Sequence, residues 1–227
     1  MSITYDIIVA GNNLALRDAF LGISNVVLVF APDGPMLFDT GAFGSRPAVI
    51  KGLARHGLTP SDVKTVFLSH LHWDHAHNID LFRDSHVVVS RREWEYAASP
   101  HEGDQFIPWM MREQLERHDL ELLEGEGTLC DGIRHFPAPG HTPGCHALAL
   151  DTDAGCVVLS GDAIKYVKEA ITGRCDMAFD TLEAGTASIG KILAMADRIV
   201  PGHFPELRKT DNGFVWDEAA EFALLVR

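Results

Sequence analysis

Short apolar runs broken by Gly and Pro punctuate this chain, and their spacing differs from segment to segment. Runs at 3–9, 26–30 and 36–38 have strand length and are separated by turn residues such as Pro32-Asp33-Gly34-Pro35. They predict an opening antiparallel sheet. Ser45 then opens a helix with Val49, Ile50 and Leu53 on one side, stopping at Gly57. Apolar β-branched runs at 64–68 and 86–90 predict two further strands. The second half repeats the theme, with strands near 132–136, 146–151, 156–160 and 198–200. Between the last two, Asp180 and Glu183 suit a reciprocal cap. Ile189, Ile192, Leu193 and Ala196 form the buried stripe of the helix that follows. Residues 218–226 read as a final amphipathic helix. The pattern predicts an α/β chain with two sheets.

Length and charge narrow the picture. At 227 residues the chain suits a single domain, 1–227, with room for a substantial core. A net charge of −13 repels phosphate backbones and argues against a nucleic-acid partner. Four cysteines, Cys130, Cys145, Cys156 and Cys175, show no Cys-x-x-Cys spacing. No basic patch with an apolar core opens the chain, and no apolar run reaches bilayer-spanning length. The expectation is a reduced, cytoplasmic protein with no membrane partner.

The chemistry concentrates just after the strand at 64–68. His70-Leu71-His72-Trp73-Asp74-His75 reads His-x-His-x-Asp-His. Neutral imidazole and carboxylate are the usual ligands for zinc and neighbouring first-row metals. Alternate residues of an extended segment share a face, so His70 and His72 can reach one ion. Asp74 and His75, past the bend, can reach a second. Three later segments place further ligand-type side chains in turns after apolar strands: Pro139-Gly140-His141-Thr142-Pro143-Gly144, Ser160-Gly161-Asp162 and Pro201-Gly202-His203.

Together with Asp39-Thr40-Gly41, these motifs resemble the metallo-β-lactamase superfamily. The resemblance runs from residue 38 to 203. It implies a four-layer αββα sandwich of two mixed sheets flanked by helices. Carried over residue by residue, it implies two divalent metal ions, zinc first, with manganese and iron suited to the same ligands. One ion would take His70, His72 and His141; the other would take Asp74, His75 and His203, with Asp162 bridging both. Asp39 would orient a histidine through its other ring nitrogen. Gly-His-Thr-Pro-Gly is similar to glyoxalase II thioesterases and acyl-homoserine-lactone lactonases. The stretch from Asp74 to Phe82 resembles the metallo-β-lactamase domain-containing protein 1 group.

The implied chemistry is hydrolysis of a small-molecule substrate. Two metals about 3.5–4 Å apart can share a water and lower its pKa towards neutrality. The expected reaction opens the acyl bond of an ester, lactone or thioester. Asp74 would relay the proton, and Tyr166 would donate to the substrate oxyanion as in the lactonases. The alternatives are a phosphodiesterase or ribonuclease of the same fold, and a non-catalytic metal-binding sensor. Residues 91–127 form an aromatic- and Met-rich insertion suited to a lid, a homodimer surface or a packed helix pair. Lys165 and Lys168 read as a solvated face, and Cys145 as a small packing residue.

Overall fold

Val26, Val27, Leu28 and Val29 are all fully buried, so the strand that carries them has apolar cover on both faces. In the computed structural model, which describes residues 2–216, this strand belongs to the first of two large sheets, beside which stands a two-stranded hairpin at Ala15–Leu16 and Ala19–Phe20. Six strands form it: β1 (Thr4–Val9), β2 (Val26–Ala31), β3 (Gly34–Phe38), β4 (Thr65–Phe67), β5 (His86–Ser90) and β6 (Asp119–Leu123). β1, β2 and β3 pair antiparallel, and β3 to β6 run parallel. The second sheet holds β7 (Gly127–Cys130), β8 (Ile133–Pro137), β9 (His146–Thr152), β10 (Gly155–Gly161), β11 (Arg198–Pro201), β12 (Leu207–Thr210) and β13 (Gly213–Val215). Only the β10–β11 pair is parallel there. In both sheets spatial order equals chain order.

Side-chain alternation along these strands builds three apolar layers. Val27, Val29, Phe38, Phe67, Val88, Leu148, Leu150, Val157 and Leu159 fill the layer between the sheets. Their neighbours Val26, Leu28, Leu37, Val66, Val87 and Val89 face the other way. They pack against α1 (Arg46–Arg55), α2 (Trp73–Ala76), α3 (Arg91–Tyr96) and α4 (Met111–Leu115), which contribute Val49, Leu53, Ala76, Trp94, Met111 and Leu115. On the far side Ala147, Ala149, Val158 and Ile199 meet α5 (Val167–Thr172) and α6 (Leu182–Met195) through Ala170, Ile189 and Ile192. The result is the expected αββα sandwich.

Local details differ from the sequence expectations. Thr181, not Asp180, caps α6: its Oγ1 accepts from the Ala184 N–H at 3.0 Å. Asp180 instead meets Arg92 at the surface. Ser45 occupies the cap position of α1 but turns its hydroxyl back to donate to Ala42 O. The 91–127 insertion is no mere helix pair, because β6 extends the first sheet and β7 begins the second. The helix expected at 218–226 lies outside the described residues. Among the described residues no helix is long and apolar enough to cross a membrane.

Candidate metal centre

Strand ends deliver the polar side chains to one place. Asp39 directly follows β3, His70 lies just beyond β4, Asp162 directly follows β10, and His203 lies just beyond β11. His72 is the residue before α2, and Asp74 and His75 sit in that helix's first turn. The first sheet thus supplies His70, His72, Asp74 and His75, and the second supplies His141, Asp162 and His203. All seven are buried. Three overlapping groups, His70/His72/His141, His70/His75/Asp162 and Asp74/His75/His203, each gather their ligand-type atoms within 4.8 Å of one another. The Asp162 carboxylate spans the cluster: Oδ2 is 3.3 Å from His141 Nε2, and Oδ1 is 3.3 Å from both His75 Nε2 and His203 Nε2. Gly202 is needed there, since a Cβ would fall 2.0 Å from Asp162 Oδ1.

Outer partners fix which ring nitrogen points inward for His70, His72, His75 and His203. The Ser69 hydroxyl donates to Asp39 Oδ2 at 2.8 Å, so it is free only to accept from His70 Nδ1 at 3.0 Å. His75 Nδ1 donates to the same Asp39 oxygen at 2.7 Å. His203 Nδ1 donates to the carbonyls of Ile23 and Asn12 at 3.0 and 3.2 Å. These three rings therefore turn Nε2 inward. His72 is reversed: its Nε2 donates to Asp104 Oδ2 at 3.1 Å, leaving Nδ1 inward, 3.0 Å from His141 Nε2. His70 Nε2, His75 Nε2 and Asp162 Oδ1 are buried with no hydrogen-bond partner among the described residues. Buried lone pairs that converge without a donor fit a bound cation.

Charge leads to the same fit. Asp39, Asp74, Glu93, Asp104 and Asp162 are all buried around this centre. Lys165, the buried ammonium beside them, is paired with Glu169 at 2.6 Å. Burial and neighbouring imidazoles hold His70 well below the ordinary histidine range, and burial does the same to His141. Burial opposes charge on His75 and His203 too, but there the carboxylates win. Asp162, Asp39 and Asp74 raise His75 well above its ordinary value, and Asp162 and Asp74 lift His203 to about 10. Surplus negative charge thus favours positive charge at these two imidazoles, which a metal ion would supply.

A cavity of about 220 Å³ opens onto the cluster, with His72, Asp74, His141, Asp162 and His203 at its base. Phe20, Phe106 and Met177 wall it, and Phe179 packs on the rings of His72 and His141. Tyr166 and Lys165 also line it. The Tyr166 hydroxyl donates to Asp176 Oδ2. The solvated reading of Lys165 is corrected: the side chain is buried between Glu169 and Asp176, with its pKa raised by Glu169 and Asp162 against the effect of burial. Lys168 is exposed as expected, and Cys145 is buried in the turn after His141.

Residues 19–203 match the model of the metallo-beta-lactamase superfamily. The chain belongs to this superfamily. It is 30% identical over 202 residues to metallo-beta-lactamase domain-containing protein 1 of Xenopus laevis, covering 86% of this chain and 77% of that one. It is 29% identical over 172 residues to an N-acyl homoserine lactonase of Bacillus thuringiensis, covering 73% of this chain and 66% of the lactonase. In three dimensions it matches a mutant of the lactonase AiiA from B. thuringiensis, solved with N-decanoyl-L-homoserine at its active site. The TM-score is 0.72 at 21% identity, covering 89% and 93% of the two chains. In this chain the cluster lies where the ends of both sheets meet.

Three contributors to the centre escaped the sequence analysis. Ser69 was overlooked between the strand and the motif. Asp104, inside the insertion, accepts from His72, from the Tyr96 hydroxyl at 2.7 Å and from Phe106 N–H at 3.0 Å. Glu93 lies fully buried behind the His70 and His141 loops. Its one sequence signal is Ser90-x-x-Glu93 directly after a strand, the spacing of a capping box.

Proposed function

We propose that this chain is a metal-dependent hydrolase that holds two divalent ions and opens the acyl bond of a small ester, lactone or thioester. The observation that carries the reading is the set of inward, donor-less atoms on His70, His75 and Asp162, surrounded by five buried carboxylates. One ion would be held by His70, His72 and His141 and the other by Asp74, His75 and His203, with Asp162 shared; zinc, manganese and iron all suit these donors. Bound there, such ions supply Lewis acidity and a water nucleophile active near neutrality.

The protein's own groups do the rest. Asp39, Asp104 and the carbonyls of Ile23 and Asn12 hold the imidazoles in fixed tautomers, so little reorganisation accompanies reaction. Asp74 lines the cavity, and its carboxylate is placed to accept a proton from the attacking water and return it to the leaving oxygen. Phe20, Phe106 and Met177 offer apolar surface to the acyl side of the substrate. For Tyr166 to donate to an oxyanion, its hydroxyl must exchange Asp176 for the substrate. The similarity to N-acyl homoserine lactonases supports acyl-bond chemistry, and the charge of −13 disfavours polyanionic substrates.

The test is elemental analysis after reconstitution with zinc, beside a panel of lactones, esters, thioesters and phosphodiesters. About two equivalents with acyl-bond turnover is expected. Two equivalents with phosphodiester turnover alone would replace the substrate class, and metal without any turnover would indicate a sensor. A protein that takes up no metal would end the reading.

A further inference from the structure

The two loops that carry His70, His72 and His141 come from different sheets, yet one side chain ties them together. Glu93 Oε1 accepts the Leu71 N–H at 3.0 Å, between His70 and His72. Its Oε2 accepts the Thr142 hydroxyl at 2.7 Å and the Gly144 N–H at 3.1 Å, in the turn that begins with His141. The same helical turn adds a further tie. Ser90 Oγ accepts from Glu93 N–H at 3.0 Å and donates to Gly144 O at 2.7 Å. Contact is so close that a Cβ on Gly144 would fall 2.0 Å from Glu93 N. Three donors on two oxygens suit a carboxylate that accepts at both ends, and they counter the burial that pushes this carboxyl up.

We infer that Glu93 is a positioning residue for one of the two metal ions: its carboxylate clamps the His70–His72 loop to the His141 turn and sets the spacing of those three imidazoles. The other group does not share this clamp. His75 is held by Asp39, Asp74 by Ser24 through its backbone carbonyl, and the strand before His203 by Asn25. Glu93 touches none of these. The inference rests on the dinuclear reading and adds that Glu93 braces one ion alone, whereas Asp39 serves both groups, His75 directly and His70 through Ser69. A Glu93→Gln side chain keeps the volume but turns an amide N–H towards either Leu71 N–H or Gly144 N–H, so one end of the clamp loses its acceptor.

The experiment titrates zinc into metal-free protein against a chromogenic chelator, for the wild type and for Glu93→Gln, Thr142→Val and Thr142→Ser. Circular dichroism and melting of the metal-free forms are recorded alongside. The expected result is a two-step titration in which Glu93→Gln weakens one step by about 10- to 100-fold and leaves the other at the wild-type value. Thr142→Val should weaken the same step by less, and Thr142→Ser, which keeps the hydroxyl, should restore it. Two unchanged steps would overturn the inference. So would an equal loss in both steps accompanied by lower melting of the metal-free form, since that marks general loosening. Should Glu93→Gln fail to fold, the Thr142 pair decides by the same criterion. A wild type that binds no zinc overturns the dinuclear reading itself, whereas two wild-type sites with indifferent variants overturn only the clamp.

Discussion

Asp39 stands at φ 61°, a left-handed conformation that few side chains other than Asn and Asp accept. Its two oxygens serve Ser69 N–H, Ser69 Oγ and His75 Nδ1. Asp39→Asn keeps the shape and tolerates the backbone, but removes the charge and turns an amide N–H towards Ser69 or His75 in place of an acceptor. It is expected to lower kcat/KM or metal affinity by about 10- to 100-fold with unchanged circular dichroism. A second prediction concerns acid. Burial pushes the Asp176 carboxyl up, but donation from Tyr166 and Lys168 and the charge of Lys165 outweigh it and hold it at about 2. A carboxyl depressed in the folded chain and ordinary when unfolded, at about 3.9, adds stability above about pH 4 that fades as pH falls towards 2. In excess chelator, Asp176→Asn should therefore show a urea midpoint that changes less across this interval than that of the wild type. The seven candidate ligands were legible because each follows an apolar strand within a few residues. Asp104 and Glu93 were not, since they meet His72, Leu71 and Thr142 across 32, 22 and 49 residues, and no local pattern encodes such meetings.

The insertion shows the same limit among helices and strands. Its aromatics and methionines suggested a lid, a dimer face or a packed helix pair, and the structure divides them among several tasks. Trp94, Met111 and Leu115 enter the outer apolar layer of the first sheet. Trp109 is 86% exposed. Asp104 and Phe106 reach the metal centre, and Phe106 O accepts from Trp73 N–H at 2.9 Å. β6 was missed because alternate positions carry Asp119 and Glu121 on the solvent side, where both meet His86 of β5. Strands buried on both faces were legible as continuous apolar runs, but a half-exposed edge strand of acids and leucines was not. Phe106 packs 5.4 Å from the His72 ring and walls the cavity. Phe106→Ala should raise KM for long-chain acyl substrates by about 5- to 30-fold, matching a loss of about 1–2 kcal/mol of apolar contact. Metal content should stay at the wild-type level; if it falls, Phe106 supports the ligand loop rather than the substrate.

The centre draws its candidate ligands from both sheets, so a bound metal would also link the sheets to each other. Anything that binds the folded chain and not the unfolded one raises its stability with ligand concentration, by about 4 kcal/mol at 1,000 times Kd. Chelator should accordingly lower the melting temperature, and zinc added back should restore it in proportion to the logarithm of its free concentration. Leu148→Ala, in the layer between the sheets, should lose about 2–5 kcal/mol whether or not metal is present. If the two effects prove additive, the core and the centre are energetically separate.

Strand order adds one more consequence. Because each sheet is assembled from consecutive strands, the backbone leaves the first and enters the second at the exposed turn Glu124-Gly125-Glu126. Severing the chain there would yield two polypeptides, each with every strand of its own sheet and only part of the ligand set. Each half alone would present an apolar face to water and should precipitate. Co-expressed, they are expected to dock as a heterodimer whose yield follows the zinc supply, making the protein a split reporter with a metal ion as its switch.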